Sequence, residues 1–373
     1  MTAAREVVVV GAGIVGAAVA RELAVRGVDV LLLDAGDVSS GTTGLGEGNV
    51  LCSDKDVGPE LDLCVAGRAL FDELGEEARI RCKGALVVHP DEGTWAAEGT
   101  RVARLHAAGV DGRPVAPDEV VELEPALTGP LHGASFFPDD LQCDPRAIAL
   151  ALAREVPDVR THTRVTRVVV GSGRVTGVEL EGGERIAAGV VVVAAGPWSA
   201  ALAASAGLHL PVEPRKGQLV RLAGPAHVRH KVVDGSYLAS VRSDAAGLQV
   251  TTVVETTWEG DVLVGSSRER RGFDTTVDDA VSEAMVARAA RLFPGLAGRR
   301  RVAAWAGLRP WLPDHLPAIG PSQAVEGLWL ATGHEGAGVA LGPITGRVVA
   351  QSYCGEPVAV DLVPFDADRF SPS

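Results

Sequence analysis

Three glycines, at positions 11, 13 and 16, stand between a Val-rich apolar run from Glu6 to Val10 and a helical pattern from Ala17 to Arg26. In such a strand–turn–helix the first glycine permits the tight turn. The second lets backbone approach a pyrophosphate, and the third lets helix pack closely on strand. Gly27 closes the helix, and Val28 to Leu33 reads as a second strand that ends on Asp34 and Ala35. Asp34 lies eighteen residues after Gly16, where a carboxylate can accept hydrogen bonds from an adenosine ribose. The helix start, at Ile14 and Val15, offers free N–H groups to phosphates. This is a complete β-α-β dinucleotide unit, and it places the chain in the α/β class (α+β overall).

That unit alone does not separate FAD from NAD. Two further turns favour FAD. Val190 to Ala195 is a buried strand running into Gly196-Pro197-Trp198, a small-residue turn where backbone can pass close to a cofactor. Leu328 to Ala331 is another strand, leading through Thr332-Gly333-His334-Glu335-Gly336-Ala337-Gly338 into a helix from about Leu341 to Cys354. A helix N-terminus there can present N–H groups to the negative end of a reduced flavin. The loop from Ser39 to Val50 holds four glycines in twelve positions, a density suited to backbone lying against a ligand.

Between these units the pattern changes. Helices are expected over Pro59 to Leu74, near 94–108, over Pro145 to Val156 and over Asp278 to Leu292. Strands are expected over Thr161 to Val170, Val175 to Leu180, Ile186 to Val193, Gly217 to Leu222, Tyr237 to Val241, Leu248 to Val254 and Asp261 to Gly265. The chain of 373 residues is too long for one simple core. The expected organisation is a discontinuous Rossmann-like FAD-binding domain, residues 1–80, 141–211 and 306–373. A substrate domain built on an antiparallel sheet, residues 81–140 and 212–305, is inserted into it. The segment after Phe365 reads as a frayed tail.

A net charge of −13 argues against nucleic acid as the main partner, and Arg299-Arg300-Arg301 reads as a solvated turn. The five cysteines are odd in number and form no C-x-x-C pair, which fits thiols in a reducing compartment better than disulfides or a metal site. No charged residue occurs between Arg185 and Glu213, but five glycines and prolines interrupt that stretch, so no membrane span is expected. Arg5 and Glu6 lead directly into a strand, with no signal-peptide pattern, and the expected location is cytoplasmic.

Taken as a set, Gly11 to Gly16 with Asp34, Ser39 to Asn49, Ala194 to Trp198, Pro214 to Gln218, Gly265 to Asp274, Gly307-Leu308-Arg309-Pro310 with Pro313-Asp314, and Gly333 to Gly338 resemble the D-amino acid oxidase and glycine oxidase superfamily of FAD-dependent oxidoreductases. Gly44 to Asn49 with Ser53-Asp54-Lys55 looks most like its glycine oxidase-like or D-hydroxyproline dehydrogenase-like members. The resemblance implies that Val165 bonds the adenine through its backbone. It implies that Ser39, Ser40, Thr42 and Thr43 reach the phosphates and flavin edge, and that Gly48 and Asn49 line the isoalloxazine. Arg309 would hold the substrate carboxylate, a role suited to the guanidinium fork, with a structural ion pair as the alternative. Tyr237 would help hold substrate or pack in the core. His334 would tune the flavin or cap the helix.

Sarcosine oxidase relatives attach flavin through a cysteine near the segment matching Arg309-Pro310-Trp311. Here Gly307 or a neighbour takes that place, so non-covalent FAD is expected. Those relatives also carry an oxygen-activating lysine, which Leu263 replaces, so the acceptor is oxygen, a quinone, another subunit or a dye. The expected reaction is hydride transfer from a small amino or imino acid to flavin, giving an imine that hydrolyses to an oxo acid. The alternatives are a flavin-bearing electron-transfer subunit of a larger complex, or an FAD enzyme acting on a hydroxy acid or a biosynthetic intermediate. A homo-oligomer or a partner subunit is compatible with either.

Overall fold

The computed structural model describes residues 4–225 and 227–371. Its first sheet has a parallel centre in the order Leu328–Thr332, Arg185–Val193, Arg5–Val10, Val30–Leu33, Asp158–Arg160. Val8 stands between Leu31 and Val191 in register. Val7, Val8 and Val9 are fully buried, because helices or strands cover both faces of this sheet. Odd residues of the first strand (Val7, Val9) join one apolar cluster and even ones (Val8, Val10) join another.

The glycine-rich turn leads into helix Ile14–Ala24, which starts three residues earlier than the sequence pattern suggests. Helix Gly338–Cys354 lies against it so closely that a Cβ on Gly346 would stand 2.5 Å from the Ala18 carbonyl carbon. The N-terminal and C-terminal ends of the chain therefore build one layer, with helix Pro145–Arg154 beside them.

The second sheet has eight strands in the order Arg301–Trp311, Glu213–Leu222, Val262–Arg268, Gln249–Thr256, Lys231–Asp234, Ala85–His89, Gly133–Phe137, Arg113–Val115. All neighbours run antiparallel except Lys231–Asp234 and Ala85–His89. Helix Asp279–Leu292 packs Val281, Met285 and Ala289 on its apolar face. The strands of the first sheet come from 5–33, 158–193 and 318–332, and those of the second from 85–137 and 213–311. The boundary expected at 306 thus falls inside strand Arg301–Trp311. That strand pairs with Glu213–Leu222 along its length and belongs wholly to the second sheet.

Two local expectations are corrected. Tyr237 lies on a short helix, Gly235–Val241, and not on a strand. Asp234 caps it by accepting from the Ser236 N–H, which nucleates the turn. The segment after Phe365 is packed through residue 371: Ala367 is buried, Arg369 pairs with Asp314 at 2.7 Å, and Asp368 accepts from Ser322 Oγ at 2.7 Å. Residues 372–373 of the expected tail lie outside the described residues. Among the described residues, no helix is long and apolar enough to cross a membrane, and no cluster of three or more His, Cys, Asp or Glu side chains could hold a metal.

Candidate active site

Val10, Leu33, Val193 and Thr332 end four adjacent parallel strands on the same side of the first sheet. Ligands of open α/β sheets bind beyond such carboxyl ends. Here a cavity of about 670 Å³ opens at that edge and runs across to the second sheet. Its walls come from 10–49, 163–202, 217–237 and 307–339.

At one end the turn after Val10 is held by close contacts. A Cβ on Gly16 would lie 1.8 Å from the Gly11 carbonyl oxygen, and one on Gly11 would lie 2.5 Å from the Ala194 oxygen. Gly16 is therefore a packing glycine and does not line the cavity, whereas Gly11, Gly13, Ile14 and Val15 do. Asp34 accepts from the Ala12 N–H at 2.6 Å and the Gly36 N–H at 2.8 Å, so its carboxylate also braces the turn. It lines the cavity with Ala35. The Thr163 N–H donates to the Asp34 carbonyl at 2.7 Å, which carries Val165 to the same end of the cavity.

The loop from 39 to 50 is fastened to both sheets. Thr43 Oγ1 accepts from the Ile14 N–H at 3.1 Å, Thr42 Oγ1 donates to the Leu308 carbonyl at 2.6 Å, and Trp305 Nε1 donates to the Leu45 carbonyl at 3.0 Å. Ser40, Thr42, Thr43 and Asn49 line the cavity. Gly48 does not: a Cβ there would stand 1.7 Å from the Cys143 carbonyl oxygen, so this glycine is needed for packing against strand Leu141–Cys143. Ser39 is buried with φ +66° and also lies off the cavity wall.

The turn of Ala195, Gly196 and Trp198 lines the opposite wall, tied to strand Leu328–Thr332 by Thr332 Oγ1 donating to the Gly196 carbonyl at 3.1 Å. His334, Glu335, Gly336 and Gly338 line it too. Gly333 and Ala337 do not: Gly333 takes φ +82° against Leu312, and Ala337 packs in the core. His334 is buried and its Nε2 stands 2.9 Å from Thr345 Oγ1. Burial pushes its pKa down to about 3, so the ring is neutral at ordinary pH.

Three arginines converge at the far end, on the second sheet. Arg215 donates to Glu335 Oε1 at 2.7 Å, and Arg268 Nε stands 4.0 Å from the same oxygen. Burial alone would raise the Glu335 pKa, but His315 and the arginines hold it below the usual carboxylate range. Arg268 also lies over the Tyr237 ring, 4.5 Å from its centroid. Arg309 is the exception. Among the described residues no carboxylate comes within 4.0 Å of it, and its Nη1 donates only to the Ser267 carbonyl, at 3.0 Å. Burial, and then the neighbouring Arg268 charge, pull its pKa down to about 10, so it remains charged. Arg309, Gly307 and Tyr237 all line the cavity.

Glu47 lines the cavity as well and was assigned no role from the sequence, since nothing in its spacing sets it apart from other loop carboxylates. Leu263 is buried and does not line it. None of the five cysteines lies on the wall.

The donor set fits FAD. An elongated cavity begins at a helix N-terminus with close-approach glycines, carries a carboxylate at the expected ribose position, passes a second small-residue turn, and ends at helix Gly338–Cys354. Comparisons with known proteins agree. The family model described as FAD dependent oxidoreductase, DAO, matches residues 6–352. A glycine oxidase of Pseudomonas aeruginosa is 31% identical over 96% of this chain and 97% of its own. A D-amino acid dehydrogenase of Paramagnetospirillum magneticum is 30% identical over 83% of this chain and 73% of its own. The crystal structure of glycine oxidase from Geobacillus kaustophilus superposes with a TM-score of 0.89 at 28% identity, covering 100% of both chains. The chain belongs to the DAO family of FAD-dependent oxidoreductases, and FAD is its cofactor.

Proposed function

We propose that the protein oxidises a small amino or imino acid, with Arg309 holding the substrate carboxylate. The observation that carries this reading is the pairing pattern of the three arginines. Arg215 and Arg268 share Glu335, whereas Arg309 has no carboxylate within 4.0 Å among the described residues, gives one N–H to the Ser267 carbonyl and lines the cavity. A carboxylate seated on that fork is held in the plane of the guanidinium, which fixes the α-carbon beside it. Bound FAD would supply the hydride-accepting chemistry for that carbon. The chain supplies position, a wall that excludes water, and a neutral His334 that adds no charge near the ring system. Tyr237 closes the substrate end, its buried hydroxyl kept protonated because burial raises its pKa. The resulting imine hydrolyses to an oxo acid after release. Retention of FAD is non-covalent, since no cysteine reaches the cavity; acid precipitation is expected to release the flavin into the supernatant.

The test is anaerobic mixing of the yellow holoenzyme with amino, N-methyl and hydroxy acids while flavin absorbance is followed. Bleaching by amino or imino acids and not by their hydroxy analogues is expected. Arg309→Leu should lower apparent affinity by about a hundredfold, the scale of a lost charge-assisted pair. Unchanged affinity and turnover in that variant would remove the carboxylate clamp. Re-admission of air then reports whether oxygen serves as acceptor.

A further inference from the structure

The cavity that Arg309 lines carries a second charged group that nothing above uses. Glu47 is 8% exposed in its side chain. Its Oε2 accepts from Asn49 Nδ2 at 2.9 Å and stands 3.5 Å from Lys231 Nζ. Lys231 is closer to Glu255, at 2.9 Å, so it answers the Glu47 charge only in part. The other oxygen, Oε1, is buried and has no hydrogen-bond partner among the described residues. Leaving a buried carboxylate short of partners is costly, and an N–H brought to the carboxylate lowers that cost.

The sheet beneath fixes where that oxygen lies. Glu47 Oε1 sits 2.0 Å from where a Cβ would stand on Gly265, and Arg309 Nη1 sits 2.0 Å from where one would stand on Gly217. Val220 pairs with Val264, which puts Leu219 beside Gly265. The Leu219 Cδ2 atom is 3.0 Å from that same Cβ position. Gly217 and Leu219 are two apart on one strand and share a face. Gly217 and Gly265 therefore lie on neighbouring strands, with one extra residue on the second strand before the Lys216–Glu269 bridge. Two glycines clear space on the sheet for an anion and a cation to face the same volume. Both residues line the one cavity, and the carboxylate and nitrogen of an α-amino acid, joined through a single α-carbon, offer one hydrogen-bonding group to each.

We infer that the Glu47 carboxylate receives the amino group of the substrate, across the cavity floor from Arg309. The site thus reads both charges of a zwitterion: Arg309 takes the carboxylate and the Glu47 carboxylate accepts an N–H from the ammonium or secondary amine. No bond is made or broken in this step. The inference rests on the reading of Arg309 given above and adds the group that separates amino acids from plain carboxylic acids.

The test compares holoenzyme and the Glu47→Gln variant, both anaerobic, by perturbation of the flavin spectrum. The probes are three matched pairs: glycine and acetate, sarcosine and methoxyacetate, proline and cyclopentanecarboxylate. The variant should weaken binding of the amines by about ten- to a hundredfold, and leave their amine-free partners within about twofold. Equal weakening within each pair, or no weakening, overturns the role of Glu47 while leaving the Arg309 reading intact. A wild-type enzyme that responds to none of the six overturns the amino-acid reading and this inference with it. Should Glu47→Gln emerge without flavin, Glu47→Asp makes the same comparison, since it keeps the charge and withdraws the oxygen. The amines alone should again be weakened.

Discussion

Arg215 Nη1 donates to Glu335 Oε1 at 2.7 Å, joining a strand of the second sheet to the turn that follows the last strand of the first. Arg215 is 1% exposed and Glu335 8% in their side chains, so water screens the pair little. Removing one member leaves a buried charge without its counterpart, the costly way to break such a pair. Glu335→Gln is expected to destabilise the fold by about 3–5 kcal/mol. Urea denaturation with excess FAD checks it, and a loss below about 1 kcal/mol would mean that Arg215 is satisfied by the Ser240 and Ser243 carbonyls it also reaches.

Gly16 tests the cofactor turn without touching the cavity wall. Its Cβ position lies 1.8 Å from the Gly11 carbonyl oxygen, which is backbone and has no side chain to rotate aside. Gly16→Ala must push helix Ile14–Ala24 away from the strand and shift the N–H groups at its start. The purified variant is expected to carry less than about a tenth of the wild-type flavin, a loss of at least about 1.4 kcal/mol in binding. The ratio of flavin to protein absorbance reports it directly.

His334 gives a pH dependence with a definite sign. Its pKa in the folded protein is about 3, below the ordinary imidazole value of 6.5, and burial is the cause. Between those two values the unfolded chain binds the proton and the folded one does not. Stability drawn from this residue is therefore constant above about pH 6.5 and falls as pH drops through the window. Relative to His334→Gln, the wild type should lose about 2 kcal/mol between about pH 7 and about pH 5. Denaturation of both proteins at the two pH values checks it. A difference that does not move with pH would show that the ring takes up its proton in the fold as readily as in the unfolded chain.

Thiol labelling offers a simpler check on the packing. Cys82 and Cys354 are exposed, whereas Cys52, Cys64 and Cys143 are buried, and burial raises the Cys143 thiol well above its ordinary pKa. A thiol reagent applied to the native protein should label two of the five cysteines quickly and the other three only on unfolding.

Much of the cofactor end was readable in the sequence because its signals are local. The glycines at 11, 13 and 16, the terminal Asp34 and the turn at Ala195 to Trp198 each declare themselves within a few residues. The misplaced residues failed for local reasons as well. A short run such as Tyr237 to Val241 carries too few residues to separate the two periodicities, and the Asp234 cap decides for helix. Gly48, Gly333 and Ala337 sit in ligand-like company, yet their backbone faces Cys143, Leu312 or the core. The substrate end was legible only as Arg309 and Tyr237. Arg215, Arg268, Arg309, Glu335 and Glu47 lie on five separate segments, and only the pairing of strands far apart in the chain brings them together.

The docking of helix Gly338–Cys354 on helix Ile14–Ala24 bears on how the enzyme is made. The cavity wall is closed by residues 307–339, which are synthesised well after the glycine turn. A nascent chain can form the early β-α-β unit and still lack most of the wall. A chain truncated before residue 307 would lack that stretch of wall, however well its first β-α-β unit had folded.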